Sequence, residues 1–111
     1  MKFKIYKPNY KGGVDMATYV TLWRYTRDGL REIKKTPQRF ETVKKIISRA
    51  GGRLFSIYGL IGEYDLVTVM EMPDEKTALS TILRICSTGR ITAQTMPAIS
   101  IDDFLKITKE I

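Results

Sequence analysis

From residue 18 onward the apolar side chains recur first with a period near two, then near 3.6, and this order of periods leaves few folds open. Residues 18–25, Thr-Tyr-Val-Thr-Leu-Trp-Arg-Tyr, are rich in β-branched and aromatic side chains and predict a strand. Thr26 is placed to cap a short helical stretch through Lys35 that carries Leu30 and Ile33. Thr36-Pro37 then restarts a helix, a capping hydroxyl followed by a proline whose fixed φ suits the first turn. Over residues 37–50, Phe40, Val43, Ile46, Ile47 and Ala50 form one apolar stripe with Lys44, Lys45 and Arg49 off it, and Gly51-Gly52 ends it. Residues 53–61 and 64–72 predict two further strands. Only Gly62-Glu63 separates them, short enough for a hairpin of antiparallel neighbours. Pro73-Asp74 opens a second amphipathic helix, with Leu79, Ile82, Leu83 and Cys86 at i, i+3, i+4 and i+7, closed by Gly89. Residues 90–99 alternate as a fourth strand, and Ser100 with Asp103 predicts a capped terminal helix carrying Ile101, Phe104 and Leu105.

The order strand, helix, strand, strand, helix, strand predicts an α+β, ferredoxin-like βαββαβ domain: one antiparallel four-stranded sheet with both main helices on one face. The third strand is apolar on both sides, with Leu66, Met70 and Met72 on one and Val67 and Val69 on the other. Two helices cover a single face. On the first strand Val20 and Leu22 point one way and Tyr19, Trp23 and Tyr25 the other. The larger aromatic surface is expected on the uncovered side. Leaving such a face wet forgoes on the order of several kcal/mol, so a second copy is expected to cover it, with Tyr19, Trp23, Tyr25, Val67 and Val69 at the seam.

The chain has 111 residues, enough for one domain, expected over residues 16–111 behind a basic N-terminal extension, residues 1–15. It contains one cysteine, Cys86, and no histidine, which excludes an intrachain disulfide, a Cys/His zinc site and histidine acid/base chemistry. Cys86 is expected in the core. No metal and no cofactor are expected. The start lacks the apolar region of a secretory signal, and no run approaches the roughly 20 apolar residues of a membrane span, so the expected home is the cytoplasm with no membrane partner. The net charge of +7 is uneven: residues 24–53 carry ten basic side chains against three acidic, while residues 54–111 carry five against eight. Such asymmetry raises nucleic acid as a partner. The strand over residues 66–72, however, has no aromatic and no RNP1-type motif on which bases would stack, so nucleic acid is disfavoured.

Candidates for chemistry gather around the predicted hairpin. Gly62 frees the turn for positive φ, and Asp65 either accepts loop N–H groups or acts as a carboxylate base. Thr18-Tyr19-Val20-Thr21-Leu22, Thr26, Gly29, Pro37-Gln38-Arg39, Gly51-Gly52, Tyr58, Gly62-Glu63-Tyr64-Asp65 and the segment from Thr92 to Pro97 resemble the GYD-domain family. The naming motif Gly-x-Tyr-Asp stands here as Gly62, Tyr64 and Asp65. The resemblance implies a dimeric α+β barrel, in which two ferredoxin-like protomers join sheet to sheet, and assigns no activity. Two functions are expected on equal footing. One is a small-molecule site in the cleft between helices and sheet or at the subunit boundary, with Arg24, Tyr58, Gly62, Tyr64, Asp65 and Thr95 as ligand-binding candidates. The other is a non-catalytic assembly or regulatory module. A cofactor-free oxygenase with Asp65 as base ranks below both, and haem is disfavoured for want of a histidine ligand.

Overall fold

The computed structural model describes residues 10–11 and 14–111, with side chains from Met16 onward. Two short strands, β1 (Tyr10–Lys11) and β2 (Val14–Asp15), pair antiparallel. The rest of the basic extension, Gly12-Gly13 included, lies outside the described residues. The main body runs β3 (Ala17–Tyr25), α1 (Arg27–Arg31), a 3-10 turn (Ile33–Lys35), α2 (Thr36–Arg49), β4 (Arg53–Gly59), β5 (Leu66–Met72), α3 (Glu75–Cys86), β6 (Ile91–Ala98) and α4 (Ile101–Lys109). β3 to β6 form one antiparallel sheet in the order β4-β5-β3-β6, the α+β, ferredoxin-like arrangement that the sequence predicts.

The helix boundaries follow from local chemistry. The Thr26 hydroxyl accepts the Gly29 N–H at 3.1 Å and donates to the Gly89 carbonyl at 2.7 Å, so one cap starts α1 and ties it to the end of the α3–β6 connection. A Cβ on Gly29 would sit 2.0 Å from the Arg90 carbonyl oxygen, which is why no larger residue fits at this crossing. Asp74 caps α3 through the Thr77 N–H at 2.7 Å, and Ser100 caps α4 through the Asp103 N–H at 3.1 Å.

On β3 the two faces are exchanged relative to expectation, while β5 is oriented as expected. Tyr19 and Trp23, 4% and 3% exposed, lie under α2 and α3 in one cluster with Ile47, Met70, Met72, Ala78, Ile82 and Ile85. Trp23 Nε1 donates to Thr68 Oγ1 at 2.9 Å within this core, so burying the indole leaves no donor unmatched. Tyr25, half-buried on the same face, shares a 3.0 Å hydroxyl–hydroxyl hydrogen bond with Thr36 at the start of α2. Tyr19, Trp23 and Tyr25 therefore belong to the covered side. Both rows of β3 are apolar, so alternation alone does not tell which one faces the helices. The larger side chains are the ones that fill the wedge between two helices and a twisted sheet. Cys86 packs against the edge of the core, where burial pushes its thiol pKa up.

The hairpin also differs. β4 ends at Gly59 and β5 starts at Leu66, so the connection spans residues 60–65 rather than a two-residue turn. Gly62 adopts φ +133° within it, as expected of a glycine at this turn. A register shift between Leu54 and Ser56 marks a bulge in β4.

Candidate functional site

Among the described residues no helix lies over the second face of the sheet, and the pairing register writes out its side chains row by row. One row reads Ser56, Val69, Val20, Met96 across β4, β5, β3 and β6; the next reads Tyr58, Val67, Leu22, Gln94. Val20, Leu22, Val67, Val69 and Met96 are all partly exposed here, so Val67 and Val69 stand on the open face where the sequence reading places them. A third row, Arg53, Glu71, Thr18, Ala98, closes this apolar field on one side, with Glu71 fully buried.

The connection over residues 60–65 closes the other side. The Tyr64 hydroxyl donates to Gln94 Oε1 at 2.6 Å, a reach from the connection to β6, where Gln94 shares the open-face row of Leu22. Arg24, two residues beyond Leu22 on the same strand face, is exposed on that same side, and Tyr58 is 66% exposed at the sheet edge. Leu60 and Ile61 project from the tip, Ile61 fully into solvent. Of the six ligand-binding candidates, Arg24, Tyr58 and Tyr64 thus lie toward one end of the open face, and Gly62 lies in the connection beside Tyr64.

The other two do not join them. Asp65 Oδ2 accepts the Tyr25 N–H at 2.8 Å, while its own backbone N–H donates to the Trp23 carbonyl at 2.8 Å and its carbonyl accepts the Leu60 N–H at 2.8 Å. Of the two roles the sequence leaves open for this carboxylate, the geometry matches the first: it pins the connection to the end of β3. Thr95 lies on the helix side of β6, its hydroxyl 3.0 Å from that of Thr21.

A cleft does open between the helices and the sheet, with a volume of about 230 Å3, and none of the six candidates lines it. Its walls are Trp23, Phe40, Val43, Ile47, Leu54, Ile57 and Leu66, with Arg39, Arg84 and Arg90 among the remaining lining residues. Arg39 is held by a short salt bridge to Glu32, whose carboxyl pKa that hydrogen bond lowers. These residues come from helices and strands far apart in the chain, so no local pattern in the sequence brings them together. The nearest signal is the Arg39-Phe40 pair at the start of the α2 stripe. The basic side chains of α1 and α2 lie on the helical layer, away from the open face.

Comparison with known proteins fixes the relationship. The GYD domain family model matches residues 19–108. The chain belongs to the GYD-domain family. Its sequence is 32% identical over 91 residues to the Thermus thermophilus protein named "Glutamine synthetase and cystathionine beta-lyase binding protein", covering 81% of this chain and 96% of that one. The fold of this GYD domain resembles two solved Mycobacterium tuberculosis structures. The leucine response regulatory protein LrpA matches with a TM-score of 0.56 at 13% identity, covering 75% of this chain and half of that one. The C-terminal domain of MgtC matches with a TM-score of 0.55 at 10% identity, covering 81% and 94%. Both likenesses concern the fold of the GYD domain alone. Among its described residues no helix is long and apolar enough to cross a membrane.

Proposed function

We propose that the chain is a non-catalytic binding module in which two copies pair through the open faces of their sheets and the pair docks onto a metabolic enzyme. The observation that carries this reading is the uncovered apolar field Val20, Leu22, Val67, Val69 and Met96. The whole open sheet face, about seven residues deep over four strands, measures roughly 23 by 19 Å, about 440 Å2 in projection. A standard interface buries about 800 Å2 per partner, so the sheet face supplies about half and the connection and surroundings the remainder. Tyr58, Tyr64 and Arg24 stand at the rim of that face as boundary contacts, while Ile61, fully exposed at the tip of the connection, is left for the enzyme.

The relative's name supports enzyme docking, since that protein is described by the two enzymes it binds and this chain matches 96% of its length. The hydrogen bonding of Asp65 to the Tyr25 N–H supports the non-catalytic half of the reading, because the same carboxylate was the best base on offer. A cytoplasmic setting fits a chain whose single thiol is free.

The test uses purified glutamine synthetase and cystathionine β-lyase immobilised in parallel, with the wild-type chain in solution. At least one enzyme is expected to retain the chain, and Ile61→Asp is expected to weaken that binding by roughly tenfold, the effect of losing a modest anchor. Retention on neither enzyme overturns the docking half.

The 230 Å3 cleft favours a second reading, a small molecule held between sheet and helices. The two readings use opposite faces of the sheet and exclude neither each other nor a regulated module.

A further inference from the structure

The walls of the cleft narrow the chemistry of what can enter. We infer that it takes a small apolar carboxylate: an aromatic or branched aliphatic body lies against Trp23, Phe40, Leu54 and Leu66, and the carboxylate meets Arg84 and Arg90. This rests on the reading of the cleft as a ligand site and adds the class of ligand.

The polar groups in the wall already satisfy one another. Trp23 Nε1 donates to Thr68 Oγ1 at 2.9 Å, and the Tyr25 and Thr36 hydroxyls share a hydrogen bond at 3.0 Å; all four residues line the cleft. A polar ligand body would leave water and find few new partners, which disfavours sugars and polar amides. An apolar body loses nothing by entering and gains burial.

The charges lining the cleft have one sign. No acidic side chain lines it, whereas Arg39, Arg84 and Arg90 do. Arg39 is engaged by Glu32, but among the described residues neither Arg84 nor Arg90 is ion-paired. Arg90, half-buried and near enough to Glu32 to help lower its carboxyl pKa, and Arg84, exposed, are both free of salt bridges and put positive charge at the mouth of an apolar hollow, where an anion is attracted. Planar guanidinium also matches carboxylate geometry.

Size sets the third limit. An apolar cavity of about 150 Å3 accepts benzene. At about 230 Å3 the cleft accommodates a ring or branched chain together with a short arm that reaches the arginines.

Trp23 is the only tryptophan, so its emission reports the cleft directly. The experiment titrates 3-phenylpropanoate and its neutral counterpart 3-phenylpropan-1-ol, each up to its solubility limit, into the wild type and into Arg84→Gln/Arg90→Gln. In the wild type the acid is expected to bind roughly tenfold more tightly than the alcohol, as charge-assisted hydrogen bonds allow. In the double variant the two affinities are expected to converge on that of the alcohol. If that variant departs from the wild-type unliganded emission, Arg84→Gln alone, an exposed change on α3, is read in its place. Equal wild-type affinity for acid and alcohol overturns the carboxylate assignment and leaves the cleft as a ligand site. No change in Trp23 emission with either compound overturns both.

Discussion

The Asp65 carboxylate holds the Tyr25 N–H at 2.8 Å, a bond across 40 residues of sequence that anchors the connection over residues 60–65 to the end of β3. Hydrogen bonds to charged acceptors contribute about 1.5–3 kcal/mol, so Asp65→Ala is expected to lower unfolding stability by about that amount. Asp65→Asn keeps a carbonyl acceptor and is expected to lose less; urea denaturation of the two variants checks the order. If Asp65→Ala unfolds at the wild-type midpoint, the anchoring role is wrong. The Gly-x-Tyr-Asp motif is legible in the sequence as a turn, and the positive φ of Gly62 bears this out. The partner of Asp65 is not legible, because nothing local points from residue 65 to residue 25. Trp23 shows the same limit: an alternating strand reveals which side chains share a face, but here both faces are apolar.

Helix caps were readable at Thr26, Asp74 and Ser100, which all cap as their positions suggest, but not at Thr36, which is the first residue of α2 rather than its cap and turns its hydroxyl to that of Tyr25. Asp74 makes a pH-dependent prediction. The hydrogen bonds it receives from Thr77 hold its carboxyl pKa below the ordinary value. A carboxylate lowered in the folded state contributes stability that is full above its unfolded pKa of about 4 and fades as pH falls through the folded value. Asn caps about as well without titrating, so the stability advantage of wild type over Asp74→Asn is expected to shrink in that acid range. Urea midpoints measured from neutral pH into acid check it; a constant advantage contradicts it.

The terminal helix was likewise foreseen, but not that it would stay uncovered. No residue of α4 is buried, and Ile101, Phe104 and Leu105 stand about half exposed at i, i+3 and i+4. Phe104→Glu is therefore expected to change monomer stability by less than about 0.5 kcal/mol, as an ordinary surface change does. A larger loss by urea denaturation shows that α4 is docked. The β4 bulge and the longer β4–β5 connection were beyond the sequence, since both depend on how β5 meets β3 rather than on turn residues.

For the molecule as a whole, the order of periods was enough to specify a four-stranded antiparallel sheet with its helices on one side, and the structure has that sheet. It was also enough to show that a second apolar face must exist. What the periods left open is which residues form it: Val20, Leu22, Val67, Val69 and Met96 rather than the aromatics of β3. One practical consequence follows for Trp23. Buried under α2 and α3, it reports folding and the cleft, and its emission is expected to stay the same whether or not two copies pair.

Pairing is the claim on which the rest of the functional account depends, and sedimentation equilibrium of the wild type beside Val69→Lys tests it most directly. Val69 sits mid-row between Ser56 and Val20, so a lysine there puts a charge in the centre of the seam and leaves the helix-side core untouched. The wild type is expected to sediment at twice the chain mass at micromolar concentration, and Val69→Lys at the single-chain mass with unchanged Trp23 emission. A wild type that sediments at the single-chain mass under the same conditions contradicts the account.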